Sequence, residues 1–207
     1  MAKKKQILYP VLFMVILTVV YTFLLAFINE SSADIIQRQQ EIRVQRSVLY
    51  TLGLIDSTDA ALSDTEIQQL FDASIAVKED TSGTYGTYYA YLKDGTPVGY
   101  VFPFTGNGLW GSISGYIAFS PAVDTILGID FTSHSETPGL GGRIDEAWFK
   151  EQFRGLSVSG DNPIVYRPSE GGNVDAITGA TLTSNSVSAI VNQMIKETQT
   201  FAEGAAL

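Results

Sequence analysis

The chain has 207 residues, thirteen Lys and Arg against twenty-two Asp and Glu, and a formal charge of −9. Lys3, Lys4 and Lys5 are the only charged side chains before Glu30, so the remainder carries ten basic against twenty-two acidic residues, −12, which argues against nucleic-acid binding because that affinity rests on neutralising phosphates. There is no cysteine and a single histidine, His134, which removes disulfides, thiolate nucleophiles, cysteine-held iron–sulfur clusters and Cys-type zinc sites, so any electron carrier is an organic cofactor or belongs to a partner.

Residues 1–6 read as a cytoplasmic tail and Ile7 to Ile28 as a transmembrane helix. These uncharged, mostly aliphatic and aromatic residues would extend about 33 Å at the helical rise, enough for a hydrocarbon core of about 30 Å. A cleaved signal peptide is the competing reading, with the lysines as its n-region and Ser31-Ser32-Ala33 as a cleavage site, but a signal's apolar stretch usually has only about 7–15 residues. Three lysines precede the span and the first basic residue after it is Arg38, which points the N-terminus to the cytoplasm and the main domain outside it. Pro10 is tolerable in a first helical turn, where its missing N–H is unpaired anyway.

Residues 29–60 form a stalk and linker, with Ser31 to about Leu54 helical because the stretch lacks Pro and has a glycine only at Gly53. Residues 61–202 form one globular domain and 203–207 a tail without structural pattern. Ser63-Asp64-Thr65-Glu66 is a capping box ahead of Ile67, Leu70 and Phe71, which predicts a short amphipathic helix. Thr87 to Lys93 and Pro97 to Phe104 flank Asp94-Gly95 and predict a hairpin. Two more strands follow, Ser112 to Phe119 and Thr125 to Phe131, completing a meander of about four. Asp145 to Phe153 predicts a helix with Trp148, Phe149 and Phe153 as its apolar stripe, and Gly160-Asp161-Asn162-Pro163 a turn. Val187, Ile190, Val191, Met194 and Ile195 mark a final helix behind a Thr/Ser-rich start. The fold class is α+β, an N-terminal membrane helix followed by one domain of antiparallel sheet and packed helices.

Asp175-Ala176-Ile177-Thr178-Gly179-Ala180-Thr181-Leu182-Thr183-Ser184 lies where the chain enters that last helix. A helix N-terminus offers free N–H groups and positive dipole density to a phosphate, and the small Gly179 and Ala180 leave room for it beside the Thr181 hydroxyl. From the residues alone, Thr181, Thr183 and Ser184 read equally as ordinary capping residues.

This stretch resembles the signature of the FMN-binding subunits of ion-translocating oxidoreductases, the C subunit of the sodium-translocating NADH:quinone reductase and the G subunit of the Rnf complex. That signature is an Asp followed by Ser/Thr-Gly-Ala-Thr, matched here by Asp175 and by Thr178-Gly179-Ala180-Thr181. Two further segments resemble the same family in the same order. Gly106-Asn107-Gly108-Leu109-Trp110 supplies close-folding glycines and a flat indole surface, and Glu136-Thr137-Pro138-Gly139-Leu140-Gly141 matches the family's flavin-facing loop. The first leans toward the sodium-pump subunit, although the chain is short for it.

The resemblance implies an α+β FMN-binding domain at 61–202 with FMN esterified through its phosphate to Thr181 by a separate flavin transferase that uses FAD, and with Asp175 as part of what that transferase reads. It implies flavin contacts at Thr178, Gly179, Ala180, Leu182, Thr183, Glu136, Thr137, Gly139, Leu140, Gly141, Leu109 and Trp110. His134 and Glu136 are candidates for tuning flavin protonation, beside an uninvolved surface histidine. The implied function is electron transfer inside a membrane complex, with other membrane subunits as partners, the cytoplasmic membrane as location and no NADH site of its own, since Gly106-Asn107-Gly108 is followed by Leu-Trp-Gly and not by a helix. A stand-alone flavinylated relay and a non-redox binding module of the same fold remain as alternatives.

Overall fold

The computed structural model describes residues 2–56, 62–81, 83–160 and 163–205, with backbone only at 2–7 and 205. Helix α1 runs Ala2–Thr51 without interruption, so the expected span and stalk are one element. Nothing between Ile28 and Ile35 breaks it, since Asn29-Glu30-Ser31-Ser32-Ala33-Asp34 contains neither Gly nor Pro. Pro10 lies inside this helix and not in its first turn, because the helix begins eight residues earlier, at Ala2. The apolar run is long enough to cross a membrane, and its side chains from Leu8 to Ile28 are exposed. The chain divides into two compact units, one up to Glu41 and one from Ile42.

In the second unit, α2 (Asp64–Ser74) starts as predicted: Ser63 Oγ accepts from the Glu66 N–H, and Glu66 Oε2 accepts from the Ser63 N–H at 2.8 Å. It buries Ile67 and Phe71. Five strands then form one antiparallel meander in sequence order: β1 (Ile75–Glu79), β2 (Thr87–Lys93), β3 (Thr96–Asn107), β4 (Ser112–Phe119) and β5 (Ile126–Ser133). The β2–β3 turn is Asp94-Gly95, both at positive φ, the backbone that the right-handed twist of a tight hairpin selects. β1 is the strand the sequence pattern does not reveal, and β3 runs three residues beyond its expected end.

The sheet is covered on both faces. Tyr100, Phe102, Phe104, Ile113, Ile117 and Phe119 face one core, with the buried stripe Val187, Ile190, Val191, Met194 and Ile195 of the last helix. Val101 and Ala118 face the other, with Ile42, Val48 and Leu49 of α1 and Ile67 and Phe71 of α2. This alternation follows the two-residue period of a strand.

The predicted helix at Asp145–Phe153 is three short pieces: a 3₁₀ turn Gly141–Asp145, a single α turn α3 (Ala147–Lys150), and a second 3₁₀ turn Glu151–Phe153. Phe149 and Phe153 are fully buried, whereas Trp148 is exposed beneath the Arg143 guanidinium. The segment is too short and broken to present one continuous helical face, and Phe149 and Phe153 turn inward while Trp148 stays outside. Of the turn predicted at 160–163, positions 161 and 162 lie outside the described residues. A short parallel pair, β6 (Tyr166–Arg167) and β7 (Val174–Asp175), leads into α4 (Thr181–Ala205), which continues past Ala202 into what the sequence suggests is tail.

Candidate functional site

Helix α4 begins at a turn whose Ala180 N–H donates to the Ile177 carbonyl at 2.9 Å, with Gly179 at φ +81°. That positive φ suits glycine and strains other residues, which accounts for Gly179 between Thr178 and Ala180. The Ser184 N–H closes the first helical bond to the Ala180 carbonyl at 3.0 Å. Ala180 therefore occupies the capping position and has no side chain with which to cap. Neither Thr183 nor Ser184 substitutes for it: the Thr183 hydroxyl donates to Glu136, and Ser184 Oγ accepts from the Ile177 N–H at 3.0 Å. Among the described residues nothing caps the N–H groups of Thr181, Leu182 and Thr183, and the exposed Thr181 hydroxyl stands beside them without a hydrogen bond. Such an end offers hydrogen-bond donors and partial positive charge to an anion.

Two loops converge on this helix end. The first is the β3–β4 hairpin tip at Gly108-Leu109-Trp110-Gly111, closed by the Gly108 N–H donating to the Gly111 carbonyl at 2.7 Å. In the second, the Thr137 carbonyl accepts from the N–H groups of Leu140 and Gly142, at 3.1 and 2.9 Å, with Gly139 at φ +73°. A Cβ on Gly179 would lie 3.3 Å from Leu140 Cδ2, so the 137–140 loop rests against the turn that starts α4. Ile190 packs α4 onto β3 at Gly106, where a Cβ would come within 2.4 Å of its Cγ1.

Glu136 joins these three segments. It is 5% exposed; its Oε1 accepts from the Leu109 N–H at 2.8 Å and the Trp110 N–H at 3.1 Å, and its Oε2 accepts from Thr183 Oγ1 at 2.5 Å. Burial pushes the carboxyl up, but the hydrogen bonds from Thr183, Trp110 and Leu109 outweigh it and hold the group below its ordinary value. Hydrogen bonds to a charged group contribute about 1.5–3 kcal/mol each, so three offset a desolvation cost of several kcal/mol. The Glu136 N–H donates to His134 Nδ1 at 3.1 Å, leaving Nε2 as the donor to Asp145 at 2.9 Å.

The predicted residues thus divide by exposure. Thr178, Gly179, Thr181, Leu182, Thr137, Gly139, Leu140, Leu109 and Trp110 are exposed, and Trp110, Leu182, Leu140 and Leu109 leave 67%, 60%, 45% and 44% of their surfaces in solvent. Ala180, Thr183, Glu136 and Gly141 are buried and build the floor. Asp175 stands apart from them: its Oδ1 accepts from Arg167 at 2.6 Å, and its backbone N–H donates to Gln152 Oε1 at 2.7 Å. Arg167 and Gln152 escape sequence reasoning because neither belongs to a motif. Two clefts of 850 and 670 Å³ lie beside the far half of α4, away from these loops. Both are open surface grooves, so we place the candidate site at the uncapped helix start, where the three motif segments meet, and not in the larger volume.

A family model for an FMN-binding domain matches residues 108–196, which include all three segments. The chain is 30% identical over 193 residues to the C subunit of the Na(+)-translocating NADH-quinone reductase of Pasteurella multocida, covering 72% of this chain and 74% of that one. It is 32% identical over 140 residues to the corresponding Pseudomonas aeruginosa protein, covering 62% of this chain and about half, 52%, of the relative. The crystal structure of Shewanella oneidensis NqrC superposes with a TM-score of 0.60 over 75% of this chain and 93% of that chain, at 21% identity. The family match marks an FMN-binding domain, which follows a membrane-length helix in the chain. The chain belongs to the family of FMN-binding subunits that includes the C subunit of the Na(+)-translocating NADH-quinone reductase.

Proposed function

We propose that this protein is an electron-transfer subunit with one FMN esterified to Thr181, within a membrane-bound, redox-driven ion pump. The observation that carries the reading is the exposed Thr181 hydroxyl beside the uncapped N–H groups of residues 181–183. The residues present fit FMN: the helix start offers donors for a phosphate, and the exposed Leu109, Trp110, Leu140 and Leu182 offer apolar surface for a planar ring system. Attachment by a flavin transferase from FAD forms a Thr181 Oγ–P bond, breaks the bond from that phosphorus to the bridging oxygen of AMP, and releases the hydroxyl proton.

FMN bound there would supply one- and two-electron transfer, and the chain supplies binding, orientation and electrostatics. Anchoring at the phosphate end leaves the ring free toward the loop rim, where a partner's carrier can approach. The names of the relatives favour the sodium-pump C subunit over the Rnf subunit. The lysines before the apolar run support a cytoplasmic N-terminus with the flavin domain across the membrane. A covalent bond would keep the cofactor from being lost on that side.

The test is in-gel flavin fluorescence after denaturation, with the full chain produced with and without a flavin transferase, alongside Thr181→Ala. A fluorescent band that requires the transferase and vanishes in the variant is expected. Flavin that survives denaturation on Thr181→Ala overturns the linkage.

A further inference from the structure

We propose that Glu136 does not touch the flavin but acts as a positioning residue, an ionised latch that draws the 108–111 tip, the 137–141 loop and the first turn of α4 into one cradle. This deepens the function proposed above and rests on it for the identity of the ligand. Both carboxylate oxygens are already occupied, Oε1 by the N–H groups of Leu109 and Trp110 and Oε2 by the Thr183 hydroxyl. The neighbouring backbone is cut back to admit it. A Cβ on Gly108 would lie 2.5 Å from Oε1, and one on Gly141 would lie 2.8 Å from Oε2 and 2.5 Å from Thr183 Oγ1. Two glycines of the family-like loops are therefore small because of Glu136 as much as because of any ligand.

The latch has a second consequence at the helix end. A threonine in the first turn of a helix competes for nearby backbone groups through its hydroxyl. By accepting that hydrogen bond, Glu136 turns the Thr183 side chain inward and leaves the N–H groups of residues 181–183 open. It also fixes Trp110 by its backbone while leaving the indole outside. A neutral amide in its place removes the charge that strengthens the three bonds, and its NH₂ either faces the Leu109 and Trp110 N–H donors or obliges the Thr183 hydroxyl to turn and accept, so Glu136→Gln weakens the latch while keeping the shape.

The same donors give the latch a pH limit. With its carboxyl held below the ordinary value, Glu136 contributes stability that is present above that value and is lost as pH falls below 4.5 through the folded-state titration. The tip at 108–111 and the first turn of α4 bring no titratable side chain to it. His134 faces it from the end of β5 through the Glu136 N–H, and the 3₁₀ turn brings Asp145, turned to His134, and Arg143, turned to Glu146.

The experiment uses the full chain in detergent micelles with Trp148→Phe as background, so that Trp110 is the sole indole. Without flavin, Trp110 emission and acrylamide quenching are followed from neutral pH to about pH 3, with far-UV circular dichroism to mark global unfolding. Expected is a Trp110 transition that precedes loss of ellipticity and is absent in Glu136→Gln, whose Trp110 resembles the acid form already at neutral pH. Transferase-dependent FMN incorporation should fall about tenfold in Glu136→Gln and about threefold in Thr183→Val, and recover to within about twofold of wild type in Thr183→Ser, which restores only the hydroxyl. Trp110 behaviour and loading rates unchanged by Glu136→Gln overturn the latch. A wild-type chain that takes up no flavin sinks the proposed function instead, and the flavin-free Trp110 titration still decides whether the latch exists.

Discussion

The two ends of α4 are built on opposite plans. At its start the helix has an alanine where a capping side chain belongs, an exposed threonine hydroxyl and three N–H groups left open. About 30 Å away along the axis, Phe201 packs edge-on against Tyr85, Tyr88 and Phe102 at 5.4, 5.6 and 5.8 Å between centroids, and Thr198 shares a 3.0 Å hydrogen bond with the Tyr85 hydroxyl. The 850 Å³ cleft opens at this second end. Volume collects where the aromatic packing leaves an edge, while unmet donors collect where the backbone is trimmed with glycine and alanine. In this domain the uncapped donors suited to an anion and the larger cleft lie at opposite ends of one helix.

The largest effect should come from Gly141→Ala. The added methyl meets Thr183 Oγ1 at 2.5 Å and Glu136 Oε2 at 2.8 Å, and these two atoms are themselves bonded at 2.5 Å, so neither yields without breaking the latch. We expect a loss of about 3 kcal/mol, the upper range for overpacking a tight site, read by denaturant unfolding, together with loss of transferase-dependent flavin. A variant that folds with wild-type stability and loads normally would mean that the helix start tolerates rearrangement and is not the tightly built end.

Phe201→Ala tests the other end. The ring is half-buried in the aromatic cluster, so its removal should cost about 2 kcal/mol by denaturant unfolding, below the figure for a fully buried Phe. Covalent flavin loading at a temperature where the variant remains folded should match wild type. Loading that falls in step with the lost aromatic contacts would break the comparison, since the two ends would then act as one unit.

What the sequence discloses follows from the range of the interactions involved. The Asp94-Gly95 hairpin, the Ser63–Glu66 capping box and the stripe from Val187 to Ile195 are local patterns, and each appears in the structure where its residues place it. Strand β1 escapes because Ile75 is also the C-cap of α2, so no turn residue separates helix from strand; only its pairing from Ile75↔Tyr91 to Glu79↔Thr87 defines it. The helix expected at Asp145–Phe153 is broken into short turns, and three aromatics in six residues suggest a continuous helical face that the chain does not form. Glu136 is the instructive case in the site. In the sequence it is a loop carboxylate near a histidine, suited to proton chemistry. Its partners lie 27 residues upstream and 47 downstream, so its burial between them is a tertiary fact that no local pattern carries.

The smallest effect, and the sharpest limit on the helix-start region, concerns the approach to Thr181. Arg167 and Asp175 form a 2.6 Å ion pair with both side chains about half exposed, and Arg167 also donates to the Asn173 carbonyl at 3.0 Å. Exposed pairs of this kind contribute between about 0 and 1 kcal/mol, so Arg167→Ala should shift denaturant stability by less than about 1 kcal/mol. The backbone of Asp175 remains held by Gln152, at 2.7 Å through its N–H, so the chain entering the 177–180 turn keeps its course and flavin loading should persist. Asp175→Asn should be equally mild in stability, because the same backbone bonds remain. If the transferase reads the Asp175 carboxylate, loading slows in Asp175→Asn but not in Arg167→Ala, and a side-by-side time course of in-gel flavin fluorescence separates the two. Equal slowing in both would assign the effect to the ion pair's bracing of β6 and β7, extending the prepared end of α4 back to Arg167.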